Sequence, residues 1–119
     1  MKIPISNPER IRIIRLLERK SKQEKAAVWK VLARHISKAK RSRIAVNLSH
    51  INRHSKENET VVIPGKTLGA GRLNHPVKVA AFSFSKQAKE KVQEAGGKCL
   101  RIEELLEENP RGSNVRILA

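Results

Sequence analysis

The sequence predicts an α/β protein, with strands and helices in layers behind a pair of N-terminal helices, and three observations lead there. Two apolar runs rich in β-branched residues, Val61 to Ile63 and Val77 to Phe84, have the length and composition of buried strands. Residues 8 to 37 instead carry apolar side chains at helical spacing. From Ser85 onward helical and strand-like segments alternate, the pattern of a layered α/β arrangement.

In order along the chain, Met1 to Ser6 reads as a short apolar-basic arm. Asn7-Pro8 then reads as an N-cap followed by Pro at the first helical position, where its missing N–H costs nothing. Ile11, Ile14 and Leu17, widened by Ile13 and Leu16, form the apolar face of a helix of about three turns, and Arg12, Arg15 and Arg19 form a separate cationic stripe. Ser21-Lys22-Gln23-Glu24 fits a capping box that would open the next helix. That helix is predicted to run to about Ser37, with Val28, Val31, Leu32, His35 and Ile36 inward, Trp29 beside them as core packing, and Lys30, Arg34 and Lys38 aligned on the other side. Ile44 to Leu48 alternates as a short strand, and the polar stretch Asn52 to Glu59 leads to the central segment. Ser85 is placed to cap a helix that runs to about Glu94 with Ala88, Val92 and Ala95 inward and ends at Gly96-Gly97. Lys98 to Ile102 reads as a strand, Glu103 to Glu108 as an acidic helix stopped before Pro110, and Val115 to Leu118 as a last strand.

The central segment, Thr60 to Ser85, organises the rest. Pro64-Gly65 is turn chemistry on sequence grounds, while Gly69 and Gly71 let the backbone approach a neighbour that a side chain would keep away. Lys66, Arg72, His75 and Lys78 are interleaved with these glycines, so the expected neighbour is an anion.

Charge points the same way. The formal net charge is +15 with a pI near 10.8, and the carboxylates are 11 glutamates, Asp being absent. Residues 1 to 56 hold 16 basic and 3 acidic side chains, and between Lys25 and Lys56 there are nine Lys or Arg and no carboxylate. Solvated surfaces mix both signs, so a polyanionic partner is the leading inference. Ser37 to Arg43, with Lys38, Lys40, Arg41 and Arg43, is the densest patch and reads as a loop laid along a phosphate backbone. With only 3% aromatic residues, base stacking is a poor way to hold that partner, and contacts should fall on phosphates, sugars and helix shape. The lone Cys99 has no internal disulfide partner, and neither a signal peptide nor an apolar run near 20 residues stands out, so an intracellular soluble protein in one domain is expected.

Resemblances to catalytic motifs fail on particular residues. Gly65-Lys66-Thr67 lacks the earlier glycine of a P-loop, Thr60 standing in its place, and Leu68-Gly69-Ala70-Gly71 follows where a helix is required. Gly69-Ala70-Gly71 begins a dinucleotide fingerprint, but Asn74 replaces the third glycine. His50 and His54 have the spacing of a zinc-protease pair without its glutamate. No catalytic residue, metal site or cofactor is expected.

The ordered set VNLSHINRH (46–54), VVIPGKTLGAGRLNHPVKVAAFSFSKQA (61–88) and EAGGKCLRIEELLEENPRGSNVRIL (94–118) closely resembles the large-subunit ribosomal protein family called eighteen-e in archaea and eukaryotes, which shares its core with bacterial large-subunit ribosomal protein fifteen. The likeness extends from Asn7 onward, and the chain's compactness is similar to that of an archaeal form. Thr67 departs from it, standing where an aliphatic residue is expected. The resemblance implies an irregular β-β-α superhelical core (44–119) behind the basic helical pair and loop (1–43). It implies a structural role on ribosomal RNA of the large subunit, among neighbouring ribosomal proteins, in translation and assembly in the cytoplasm. Neither a membrane nor a small-molecule substrate is expected as a partner. Lys30, Arg34, Lys38, Lys40, Arg41 and Arg43 would then neutralise phosphates, and Arg53, His54, Lys66, Arg72, His75 and Lys78 would surround Gly69 and Gly71 where RNA backbone approaches. Two other readings stay open on the residues alone: a chromatin-type DNA-binding protein and a small nucleotide-dependent RNA-modifying enzyme.

Overall fold

The computed structural model of the protein describes residues 8–38 and 44–118. The N-terminal arm, the Asn7 cap and most of the basic loop, including Lys40, Arg41 and Arg43, lie outside the described residues. The first helix, α1 (Pro8–Glu24), is longer than its apolar pattern suggested, because Lys20 to Glu24 are mostly good helix formers and simply continue it. It ends where Lys25 turns left-handed at φ 54 and the Ala26 N–H donates to the Ser21 carbonyl at 3.1 Å. Ser21 therefore closes one helix in a Schellman-type turn, and the expected capping box opening the next does not form. In α2 (Ala27–Lys38) the buried stripe is Trp29, Leu32, Ala33 and Ile36, rotated from the expected face so that Val31 is 40% exposed. Trp29 is core, as its size and solitude suggested, and its Nε1–H donates to the Pro110 carbonyl at 2.7 Å.

Five strands follow, β1 (Ala45–Asn47), β2 (Thr60–Leu68), β3 (Lys78–Phe84), β4 (Lys98–Arg101) and β5 (Val115–Ile117), and all their pairings are parallel. The central strand β2 pairs with β3 along one edge, while β1 (against 66–68) and β5 (against 60–62) share the other. Pro64-Gly65 is not a turn: the strand runs through it. Ile63 pairs with Ala81 and Lys66 with Ser83, so Pro64 and Gly65 face Phe82 alone in a β-bulge. A bulge accommodates Pro, which has no N–H for the ladder. Gly65 is needed there because a Cβ would overlap the Ile44 carbonyl, which accepts from the Lys66 N–H at 2.9 Å.

Three short helices complete the fold: α3 (Leu48–His54), α4 (Lys86–Glu94) and α5 (Ile102–Glu108). The α3 helix takes over Leu48 from the expected strand and replaces the irregular start of the Asn52 to Glu59 stretch. Its seven residues bury only Leu48 and Ile51, a signal too short to show helical period. Ser85 caps α4 by accepting from the Ala88 N–H at 3.1 Å, and Gly96 ends it at φ 86, both as the sequence suggested. Strand alternation divides the core. Val62, Ala80 and Leu100 join Ile13, Leu17, Trp29, Leu32, Ile36, Leu105 and Leu106 on the side of α1, α2 and α5. Val61, Ile63, Val79 and Ala81 join Leu48, Ile51 and Val92 on the side of α3 and α4. Within the first layer α1 packs chiefly on α2 and α5, and its Arg10 reaches Phe82 of β3.

Candidate nucleic-acid interface

Parallel neighbours are normally joined by a dozen or more residues, usually through a helix. Between β2 and β3 only residues 69–77 make the return, as an extended crossover alongside α3 with no helix of its own. Backbone groups fix its path. The Ser49 N–H donates to the Ala70 carbonyl (3.1 Å), the Ala70 and Asn74 N–H groups donate to Oδ1 of Asn47 (3.3 Å) and Asn52 (2.8 Å), and the Asn58 N–H donates to the Pro76 carbonyl (2.7 Å). Ser55 Oγ lies 3.0 Å from His75 Nε2. From the other side Lys91 of α4 donates through Nζ to the carbonyls of Gly69 (2.8 Å) and Gly71 (2.9 Å).

This clamp gives both glycines a reason within the fold itself. Gly69 is buried, and a Cβ there would stand 2.8 Å from Gln87 Cβ and 2.9 Å from the Ala88 nitrogen. Gly71 has φ +91, and its Cβ would overlap Ser49. Close neighbours that only glycine tolerates therefore exist within the protein, at α3 and α4.

The candidate cations fall into separate groups. Arg53 and His54 end α3, and Arg72 and His75 belong to the loop beside it, so these four lie along one helix–loop seam. The rings of His50 and His54 are 4.4 Å apart. Lys66 emerges just after the bulge into a groove of about 310 Å³ with Arg10, Ile44, Phe82 and Ser83, where the Arg10 guanidinium sits 5.9 Å from the Phe82 ring centre. Lys30 and Arg34 are exposed on α2, across the sheet from the seam, and Lys38 is the last residue of that helix. Lys78 differs from the rest. It meets Glu108 at 2.7 Å, a carboxylate it shares with Lys98 at 3.4 Å.

Among the described residues, ion pairs also join Arg12 to Glu103 (2.6 Å), Arg116 to Glu59 (3.3 Å) and Arg101 to Glu9 (3.6 Å). The Arg12 guanidinium holds the Glu103 carboxyl below the usual carboxylate range, Lys78 does the same for Glu108, and the Lys56 N–H with Arg116 does it for Glu59. Burial pushes the Cys99 thiol up, away from a reactive thiolate. Among the described residues Lys30, Arg34, Arg53, Lys66 and Arg72 make no ion pair. Sequence reasoning overlooked Lys91, whose position one residue before the buried Val92 was the available sign that it flanks the packed stripe.

A family model described as "Ribosomal protein 60S L18 and 50S L18e" matches residues 9–119. The chain belongs to this family. Similar L18e-family proteins include the large ribosomal subunit protein eL18 of Methanothermobacter thermautotrophicus, 51% identical over 98% of this chain and 97% of that protein. The eL18 proteins of Archaeoglobus fulgidus (50%, covering 95% and 97%) and Methanococcus maripaludis (47%, covering 99% and 98%) are similar to nearly the same extent. The three segments that carried the resemblance build β1 with α3, then β2 through the loop into β3 and α4, then the end of α4 through β5. In this L18e chain the family-like residues thus coincide with the sheet and the clamped crossover.

Proposed function

We propose that this L18e-family protein is a non-catalytic constituent of the large ribosomal subunit that binds ribosomal RNA mainly through phosphate contacts, contributing to translation and subunit assembly in the cytoplasm. The observation that carries the reading is the division of labour among the charges. Described glutamates engage Arg12, Lys78, Lys98, Arg101 and Arg116, whereas Lys30, Arg34, Arg53, Lys66 and Arg72 stay exposed and outside any ion pair among the described residues. Exposed, unpaired cations are available to phosphates without first breaking an internal contact. Lys38, Lys40, Arg41 and Arg43 add the densest cationic stretch, and His54 and His75 flank the seam. Gly69 and Gly71 contribute by shaping the crossover that presents Arg72 and His75. Family membership favours RNA of the large subunit over chromatin DNA. Among the described residues no helix is long and apolar enough to cross a membrane.

The test is the salt dependence of binding to purified large-subunit ribosomal RNA. Each phosphate contact contributes roughly 0.7 to 0.9 to the slope of log K against log salt, so Lys40, Arg41 and Arg43 changed together to Ala should lower it by about two to three. An unchanged slope would place the RNA face elsewhere. Co-sedimentation with large subunits separates this reading from a chromatin protein, and a nucleotide titration separates it from an RNA-modifying enzyme.

A further inference from the structure

The arginine stripe of α1 is left unused by the contacts proposed so far. Arg12, Arg15 and Arg19 border a shallow groove on the solvent side of α1, together with Pro8, Ile11 and Leu16. Arg12 is held by Glu103, but Arg15, Arg19 and the next exposed cation along the helix, Lys22, make no ion pair among the described residues. Against them the same part of α1 sets Glu18 and Glu24. At 1.5 Å per residue, Arg15 to Lys22 spans about 10 Å of helix axis, three cations on the solvent face of α1 beside this groove, with Glu18 on the same face. Ile11, 37% exposed at one end of the groove, adds apolar surface suited to a sugar face more than to water.

This stripe and the α3–loop seam lie on opposite sides of the sheet, in a body 38 × 30 × 19 Å. Layers pack about 10 Å apart, so the two cationic surfaces are separated by roughly 20 Å, more than two Debye lengths at physiological salt. A phosphate attracted by one surface is screened from the other. The faces therefore act as two electrostatic sites and not as one broad patch.

From this we infer that the protein bridges two separate segments of ribosomal RNA: one along the Arg15–Arg19–Lys22 stripe of α1, the other along the seam of Arg53 and Arg72. The inference rests on the RNA-binding reading above and adds to it a second RNA surface. Arginine suits this use, because its planar fork meets phosphate oxygens two at a time and is less strongly hydrated than an ammonium. A ribosomal protein docked on α1 is the competing occupant, and the experiment separates the two.

Directed hydroxyl-radical probing in assembled large subunits provides the test. In a Cys99→Ser background, the native cysteine being the only one, an iron chelate is tethered through Glu18→Cys on α1, or in separate proteins through Lys22→Cys or Asn74→Cys. All three positions are exposed. The expected result is strong RNA backbone cleavage from both faces, with the α1 probes and the Asn74 probe cutting segments distant in the RNA sequence. Absence of RNA cleavage from both α1 probes, as a protein neighbour there would give, overturns the inference. So does cleavage of one common segment from both faces. Silence from all three probes would overturn the RNA reading itself, which keeps the two failures distinct.

Discussion

Thr67 offers a direct test of the packing described for β2. Its side chain is fully buried in the central strand, level with Val46 on one side and Phe84 on the other, and its Oγ1 has no hydrogen-bond partner among the described residues. This is also the position where an aliphatic residue was expected. Burying a hydroxyl without a partner costs about 1–3 kcal/mol by protein mutational data, whereas the shape of the side chain is matched by Val. Thr67→Val should therefore stabilise the free protein by about 1–2 kcal/mol, both residues being β-branched and equally suited to a strand. Unfolding entropy near 2.1 cal/mol/K per residue, taken over 119 residues, is about 0.25 kcal/mol/K, so the expected rise in Tm is about 4–8 °C. Thermal and urea unfolding followed by circular dichroism would measure it. Thr67→Ser, which keeps the hydroxyl and removes the methyl, should instead lose about 1 kcal/mol or more. If Thr67→Val is neutral or destabilising while Thr67→Ser is tolerated, the hydroxyl is satisfied in solution and the reasoning fails.

Three further outcomes are expected. Gly71→Ala should destabilise the fold by about 2 kcal/mol or more, through its positive φ and the overlap with Ser49, visible as a lower urea midpoint even without RNA. Lys91→Met should leave the sheet intact but free the Gly69 and Gly71 carbonyls, so amide hydrogen exchange should rise in residues 69–75 more than in β3. Glu59, Glu103 and Glu108 have lowered carboxyl pKa values in the folded state, so their stabilising contribution is complete above about pH 4.5 and is lost as pH falls through the folded values. Urea midpoints measured at pH 6 and pH 3 should show that loss, and Glu103→Gln should make it smaller.

The parts of the fold that were legible in the sequence are those set by local chemistry. Ser85 caps and Gly96 ends α4 through contacts within a few residues, and Trp29 has no better place than a core. The misread parts were decided by the element a residue joins, which its own few neighbours do not spell. Ser21-Lys22-Gln23-Glu24 has capping-box spelling, yet the helix before it already occupies those residues. Pro64-Gly65 spells a turn, yet the strands on either side of β2 hold it extended, and the mismatch is absorbed in a bulge opposite Phe82. The same limit applied to the site. Lys and Arg could be located by number, but only the folded chain shows that Lys78 is engaged by Glu108 while Arg53 and Arg72 are not.

The crossover at 69–77 ties these observations together. A return this short between parallel strands needs its backbone polar groups met along the way, because it has no helix to satisfy them internally. Here Asn47, Ser49, Asn52 and Asn58 meet them on one side and Lys91 on the other, with the two glycines giving the clearance. Arg72 and His75 are thus carried by a segment whose position is determined by α3 and α4 within the protein itself. A cation presented on such a segment gives up less conformational entropy on binding than one on a free loop, so each phosphate contact keeps more of its electrostatic gain. If Arg72 and His75 contact RNA as proposed, the glycines act on that affinity through the order of the loop, and their replacement should weaken binding only to the extent that it loosens the clamp.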